Sequence, residues 1–181
     1  MGTRLEVRIF GTLSQNHLEM LREAQGAIEF VSQNALGKLL FNRQIKGGAG
    51  PVFKELVEST LQSRGWKKKR EIVSLPQRKS VKGLYYDRWK EEEGRVAAMT
   101  WGFHHQQAIM RNLLKPIYHE ALDRPQDAPQ VHIIVAPSQA VRKSLKMNSA
   151  QADSESFIAH LEILEKYLLV PTVLISLESI E

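Results

Sequence analysis

The chain contains no cysteine. Disulfides, thiolate nucleophiles and Cys-ligated zinc are therefore excluded. No run approaches the ~20 apolar residues of a membrane-spanning helix. The opening residues, MGTRLEVRIF, lack an apolar stretch followed by a small-residue cleavage site, so export is not expected and a cytoplasmic location is. An N-terminal acylation signal would need Ser or Thr at the sixth position, where Glu6 stands. There is no Gly-x-Ser-x-Gly elbow for serine chemistry. The glycine-rich stretch FNRQIKGGAG, residues 41–50, lacks the closing Gly-Lys-Ser/Thr of a nucleotide-binding loop and follows no expected strand. Neighbouring histidines on a helix diverge by about 100 degrees, which argues against His104 and His105 sharing one metal. His17, His119, His132 and His160 fall at no known ligand spacing. No internal repeat and no low-complexity linker divides the sequence.

What is present is ordinary globular composition, 43% apolar and 25% charged over 181 residues. That length suits one domain, residues 1–181, with a substantial core. A net charge of +5 makes a polyanion a reasonable partner. The basic residues are concentrated: Arg64, Lys67, Lys68, Lys69, Arg70, Arg78, Lys79, Lys82, Arg88 and Lys90 face only Glu71 and Asp87. Residues 149–181 are acidic by contrast. The basic segment reads either as a solvated face or as a phosphate-contacting surface, and Arg43 and Lys46 in the glycine-rich loop extend the second reading.

Periodicity supplies the elements. Residues 4–10 alternate as a half-buried strand. Leu18, Leu21, Ala24, Ile28, Val31, Ala35 and Leu39 give one amphipathic helix over 17–40, with a break near Asn34 or Gly37. Pro51 suits a helix start, Phe53, Leu56, Val57, Thr60 and Leu61 form the expected inner face, and Gly65 ends it. Strands are expected over 69–75 and 83–89, and a buried one over 95–101, in an antiparallel run. Residues 104–122 are helical, with Pro116 as a kink. A strand over 131–136 and a short helix to about 147 follow. Ser154 is the expected cap of an amphipathic helix to Leu168, and a strand over 170–177 closes the chain. The order predicts one α/β domain with a mixed central sheet flanked by helices.

The organising stretch is WKEEEGRVAAMTWGF, residues 89–103. Its apolar centre is a central strand, whose end is where an α/β enzyme places its chemistry, yet the strand holds no carboxylate and no lysine. Glu91, Glu92 and Glu93 at its entrance are oxygen ligands suited to magnesium only if other acids join them.

Four places resemble the Bgl/BstY group of type II restriction endonucleases, relatives of the PD-(D/E)xK nucleases. They are Phe53 and Leu56 leading to Arg64-Gly65-Trp66, the strand Arg95-Val96-Ala97, the run from Val131 to Pro137, and the ending Val170-Pro171-Thr172-Val173-Leu174-Ile175. The resemblance spans about Phe53 to Leu177 and implies a restriction-endonuclease-like fold acting in defence. It also implies an aspartate entering the central strand, then Glu-x-Gln or Glu-x-Lys within it, jointly holding Mg²⁺ and an attacking water. Carried over, those positions fall on Gly94, Met99 and Trp101, none able to coordinate a metal. The expectation is a duplex-DNA-binding protein with a degenerate, non-cleaving site, no metal and no cofactor, and a homodimer on palindromic DNA. Its expected DNA contacts are Arg43, Lys46, Lys67, Lys68, Lys69, Arg70, His104 and His105. One alternative is an active Mg²⁺-dependent nuclease with a rearranged site drawn from Asp87, Glu91, Glu92 and Glu93. Another is a subunit that meets a protein partner through its acidic C-terminal helix or the Trp101 face.

Overall fold

The computed structural model describes residues 2–36, 49–72, 84–103, 105–122, 128–144, 147 and 150–180. Arg43, Lys46, His104, Arg78, Lys79 and Lys82 lie outside these.

Nine residues of β1 (Gly2–Phe10) are followed by α1 (Gln15–Val31), which runs into a π-helical turn at Ser32–Leu36. Then come α2 (Ala49–Ser63), β2 (Lys67–Glu71), β3 (Tyr85–Glu92) and β4 (Arg95–Trp101). A 3-10 turn at Gln106–Ala108 leads into α3 (Ile109–Leu113) and α4 (Lys115–Leu122), so the long expected helix is split just before Pro116, which cannot donate an N–H. After β5 (Val131–Pro137) and α5 (Gln139–Ser144) the chain ends with α6 (Ser154–Leu164), a 3-10 turn at Glu165–Tyr167 and β6 (Thr172–Ile180).

The sheet has six strands in the order β1-β6-β5-β4-β3-β2. β4, β5 and β6 are mutually parallel, while β1, β3 and β2 pair antiparallel at the two sides. The mixed sheet and the antiparallel β2-β3-β4 run are as the sequence predicts. β5 is buried along its whole length, the signature of a parallel strand covered on both faces. Met99, Trp101, Ile133, Val135, Val173 and Ile175 pack against α1 and α2. Ile134, Ala136 and Leu174 pack on the opposite face against α3 and α6.

Local expectations fail where a neighbour decides. Phe53, Val57 and Leu61 form the buried stripe of α2, but Leu56 is exposed, because only an i, i+4 row reaches the sheet. Tyr118, which falls at a helical spacing from Leu114 and Leu122, is exposed on α4 beyond the break at Leu114. Asp153 rather than Ser154 caps α6: its Oδ1 accepts from the Ser156 N–H at 3.0 Å and the Ser156 hydroxyl at 2.6 Å.

A candidate site at the end of the central strands

The site grows from one irregularity in β3. The β3–β4 ladder runs from Glu92↔Arg95 to Arg88↔Met99 and stops there. Arg88 reaches α2, where its Nη2 meets Glu58 Oε2 at 2.9 Å. Regular alternation would put Tyr86 on that same face. Instead Tyr86 lies with Trp89 on the opposite face, against His119 and His132. The alternation therefore breaks at Asp87, just past the end of the ladder. Its Oδ2 accepts the backbone N–H of Trp101 at 3.0 Å, a partner the ladder no longer supplies.

Helix α2 completes the cluster. Lys54 and Glu58 are one helical turn apart, on the row beside the buried Phe53-Val57-Leu61 stripe. Lys54 Nζ lies 2.9 Å from Asp87 Oδ1 and 3.8 Å from Glu58 Oε1. Glu58 Oε1 also accepts the Trp101 indole N–H at 3.0 Å. The Asp87 side chain is 2% exposed and that of Lys54 31%, so the lysine reaches an interior carboxylate from the rim. Two carboxylates, a lysine and an arginine thus surround Trp101 with their charges balanced.

Behind the sheet a second polar group adjoins the first. Lys115 donates to Thr100 Oγ1 at 3.2 Å, and His132 Nε2 lies 2.9 Å from the same oxygen. Burial pushes Lys115 down to about 8, helped by the charges of Arg111 and Lys54 and opposed by Asp87. Burial, with Lys115 nearby, pushes His132 down to about 3. Burial also raises the Tyr86 phenol well above its ordinary value, with Arg70 opposing.

Two hollows open at this end of the sheet. One of about 210 Å³ is lined by Pro51, Lys54, Trp101, Phe103, Met147 and Gln151. The other, about 490 Å³, is lined by Phe103, His105, Gln107, Arg111 and Gln151. They share Phe103 and Gln151, so a groove leads from Lys54 towards Arg111.

The sequence-derived positions separate on this frame. Gly94 and Glu93, both at positive φ, are the two central residues of the β3–β4 hairpin, which is the type I′ geometry. Gly94 therefore sits seven residues from Trp101, roughly 23 Å along an extended strand, and does not meet it. Met99 is buried in the core and Trp101 is 0% exposed. Trp101 itself therefore presents no exposed ring to a partner, although it helps line the smaller hollow. Glu91, Glu92 and Glu93 are exposed at the hairpin tip, where Glu92 pairs with Lys90 and Glu93 with Arg95. Of the four alternative acids, only Asp87 is at the site.

The basic segment also divides. Lys67, Lys68 and Lys69 are exposed on the edge strand β2. Arg70 is half-buried, with its guanidinium 3.9 Å from the centre of the Trp89 ring. Arg88 and Lys90 are not a phosphate surface: both are buried, Arg88 against Glu58 and Lys90 against Glu23 and Glu92. Burial acts against the Lys90 charge, but the hydrogen bonds it donates to Glu23 and Glu92 outweigh that and raise the amine above its ordinary value.

Sequence reasoning missed Lys54, Glu58, Lys115 and Arg111. The only local signal was the i, i+4 spacing of Lys54 and Glu58, which any solvated helix face also shows.

Among the described residues no group of three or more His, Asp or Glu side chains is placed to hold a metal. At Asp87 and Glu58 every carboxylate oxygen already has a protein donor or cation. A magnesium ion keeps water and takes one or two carboxylates, but here Lys54 stands between them. The residues as arranged do not fit the ion.

Solved structures place this architecture among the restriction endonucleases. The structure of BglII complexed with a DNA 16-mer matches with a TM-score of 0.62 and 14% identity, covering 98% of this chain and 79% of that one. Free BglII matches with a TM-score of 0.54 and 13% identity, covering 98% and 80%. Identities this low speak for the fold. The family model of restriction endonuclease BglII/BglIII matches residues 12–177, and the chain belongs to that family. The match takes in α1 as well as the stretch from Phe53 onward. No curated protein sequence matches the chain. No described helix is long and apolar enough to cross a membrane.

Proposed function

We propose that this protein, as one restriction-endonuclease-like domain over residues 1–181, binds duplex DNA in the cytoplasm without cutting it. Family membership supports the DNA. The observation that carries the loss of cleavage is that every carboxylate oxygen of Asp87 on β3 and Glu58 on α2 already has a protein partner. Met99 and Trp101 add apolar bulk, not ligands, on β4.

Lys67, Lys68 and Lys69 along the β2 edge are the described lysines for phosphate contact, and His105 and Arg111 line the groove. Such contacts position the protein on the backbone and carry no sequence information by themselves. A symmetric dimer would bring two such surfaces to one duplex. Exposed Met110 on α3 and Tyr118 on α4 mark the helical face for that contact.

The test is incubation of the purified protein with long genomic DNA in Mg²⁺ and in Mn²⁺, read on a gel. Intact DNA, retarded at low salt and released at high salt, is the expected result. Discrete fragments overturn the non-cleaving reading and favour an active enzyme built on Asp87, the one alternative acid at the site. Intact and unretarded DNA overturns DNA binding and favours a protein partner on the acidic C-terminal helix α6, where Ile163 and the following Tyr167 are exposed.

A further inference from the structure

The groove that leads from Lys54 to Arg111 is apolar at one end and basic at the other. At the apolar end Pro51, Trp101, Phe103 and Met147 line the hollow of about 210 Å³. Trp101 is fully buried and Phe103 half-buried, so it is the Phe103 ring that has surface to offer. That ring is held in place by Phe53 and Trp101, with ring centres 6.4 and 5.5 Å away. At the basic end Arg111 stands exposed on α3 beside the hollow of about 490 Å³. Among the described residues no carboxylate pairs with it, and its charge reaches as far as buried Lys115. Lys54, by contrast, is already matched by Asp87 and Glu58. No acidic side chain lines either hollow among the described residues. Between the two ends the wall is tied together: His105 bridges to Gln151, and the Gln106 N–H donates to the Ala150 carbonyl at 2.9 Å. Gln151 Nε2 donates to the Phe103 carbonyl at 3.3 Å, which leaves the amide oxygen and second N–H of Gln151 for another partner.

We propose that this groove takes one unstacked nucleotide of a bound DNA strand, its base in the smaller hollow against Phe103 and its phosphates beside Arg111. The inference rests on the DNA-binding reading and names the DNA feature that this end of the sheet recognises. The smaller hollow falls below the ~300–1,000 Å³ of sites that hold a whole drug-sized ligand, so it suits a single planar ring system. Every base has an apolar face that stacks on an aromatic ring. A glutamine amide can meet the polar edge of that base, and a guanidinium binds phosphate through a charge-assisted fork. Unstacking opposes the arrangement and costs least where a nucleotide has no pairing partner. Duplex with one unpaired nucleotide is therefore the preferred ligand.

The test is fluorescence anisotropy of the full chain with three duplexes at one salt concentration: fully paired, carrying one extra unpaired adenosine, and carrying an abasic residue at that same extra position. The unpaired adenosine tightens binding by about tenfold over the paired duplex, within the range of one base–aromatic stack. The abasic residue, equally flexible but without a base, loses that gain. Phe103→Leu keeps the bulk and removes the ring, and it brings the ratio of the two affinities to about one; Arg111→Gln lowers the same ratio. Equal affinity for the paired and the unpaired duplex overturns the proposal, as does a gain that survives in the abasic duplex or in Phe103→Leu. A melting temperature raised by deoxyadenosine monophosphate alone, with no preference among the duplexes, overturns the strand nucleotide in favour of a free one. Failure to bind any of the three duplexes refutes the DNA-binding reading itself, so the two failures are distinct.

Discussion

Gly102, directly after β4, has no room for a side chain. A Cβ there would stand 2.7 Å from the Phe157 ring, 2.9 Å from Ala136 Cβ and 3.1 Å from the Val135 carbonyl oxygen. Two of those three neighbours are fixed by the central sheet, so Gly102→Ala costs about 1–3 kcal/mol as an overpacked core does. For a chain of this size that lowers the melting temperature by roughly 2–4 °C per kcal/mol, which calorimetry reads directly. Nearby, buried Lys115 and His132 set the pH response. The native state releases the Lys115 proton near pH 8, whereas the unfolded chain keeps it to its ordinary 10.5. Between those values the unfolded state binds more protons, so this group makes stability rise with pH. Urea titrations at pH 8 and pH 10 show that rise in the wild type and a smaller one in Lys115→Met. His132 has its native value pushed from 6.5 to about 3. Its contribution is whole above pH 6.5 and is lost as pH falls towards 3, where the unfolded chain takes a proton the native state refuses. Its imidazole resonances stay those of the neutral ring from pH 7 to pH 4.5 by NMR.

At the scale of elements, helix α6 is pinned by Asp153. One oxygen caps the helix and the other meets Arg142 Nε at 3.3 Å, both residues being buried. Asp153→Ala removes the cap, costing about 1 kcal/mol, and also removes the carboxylate 3.3 Å from Arg142 Nε. Asp153→Asn keeps a cap acceptor but not the ion pair, and the larger loss of melting temperature belongs to Ala. The sequence placed this helix correctly and its cap one residue late, since Asp153 and Ser154 are both good caps and only the backbone distinguishes them. The hairpin of β3 and β4 was legible in the same partial way. Its strands follow from their composition, but the run from Glu91 to Gly94 shows its I′ turn only once Glu93 and Gly94 are seen at positive φ. Assigning a catalytic position to Gly94 failed for that reason: a turn glycine cannot lie beside residues at the far end of the strand.

For the whole molecule, the edge strand β2 and the groove from Lys54 to Arg111 define how a polyanion would lie. On the proposed reading the three exposed lysines of this edge contact phosphate, so the logarithm of DNA affinity falls linearly with the logarithm of salt concentration. Replacing Lys67, Lys68 and Lys69 by Ala reduces that slope by about 0.9 for each lysine that contacts phosphate, with little change in melting temperature because the side chains are solvated. Fluorescence anisotropy over a salt series measures both. An unchanged slope would show that the lysines serve only to keep the open edge of the sheet from pairing with another chain.

By itself the sequence determined the strands and helices, the order that makes a mixed sheet, and the resemblance of that order to a restriction-endonuclease family. Those properties follow from repeat periods and turn residues, which each segment carries within itself. Only the tertiary structure decided the site. Asp87 is 33 residues from Lys54, and Trp101 is 43 from Glu58. A period reveals which side of its own element a residue takes, but not which charge the facing element presents there. The pairing of two acids with a lysine is a property of two elements brought together, β3 and α2, and so it appears only when the chain is folded.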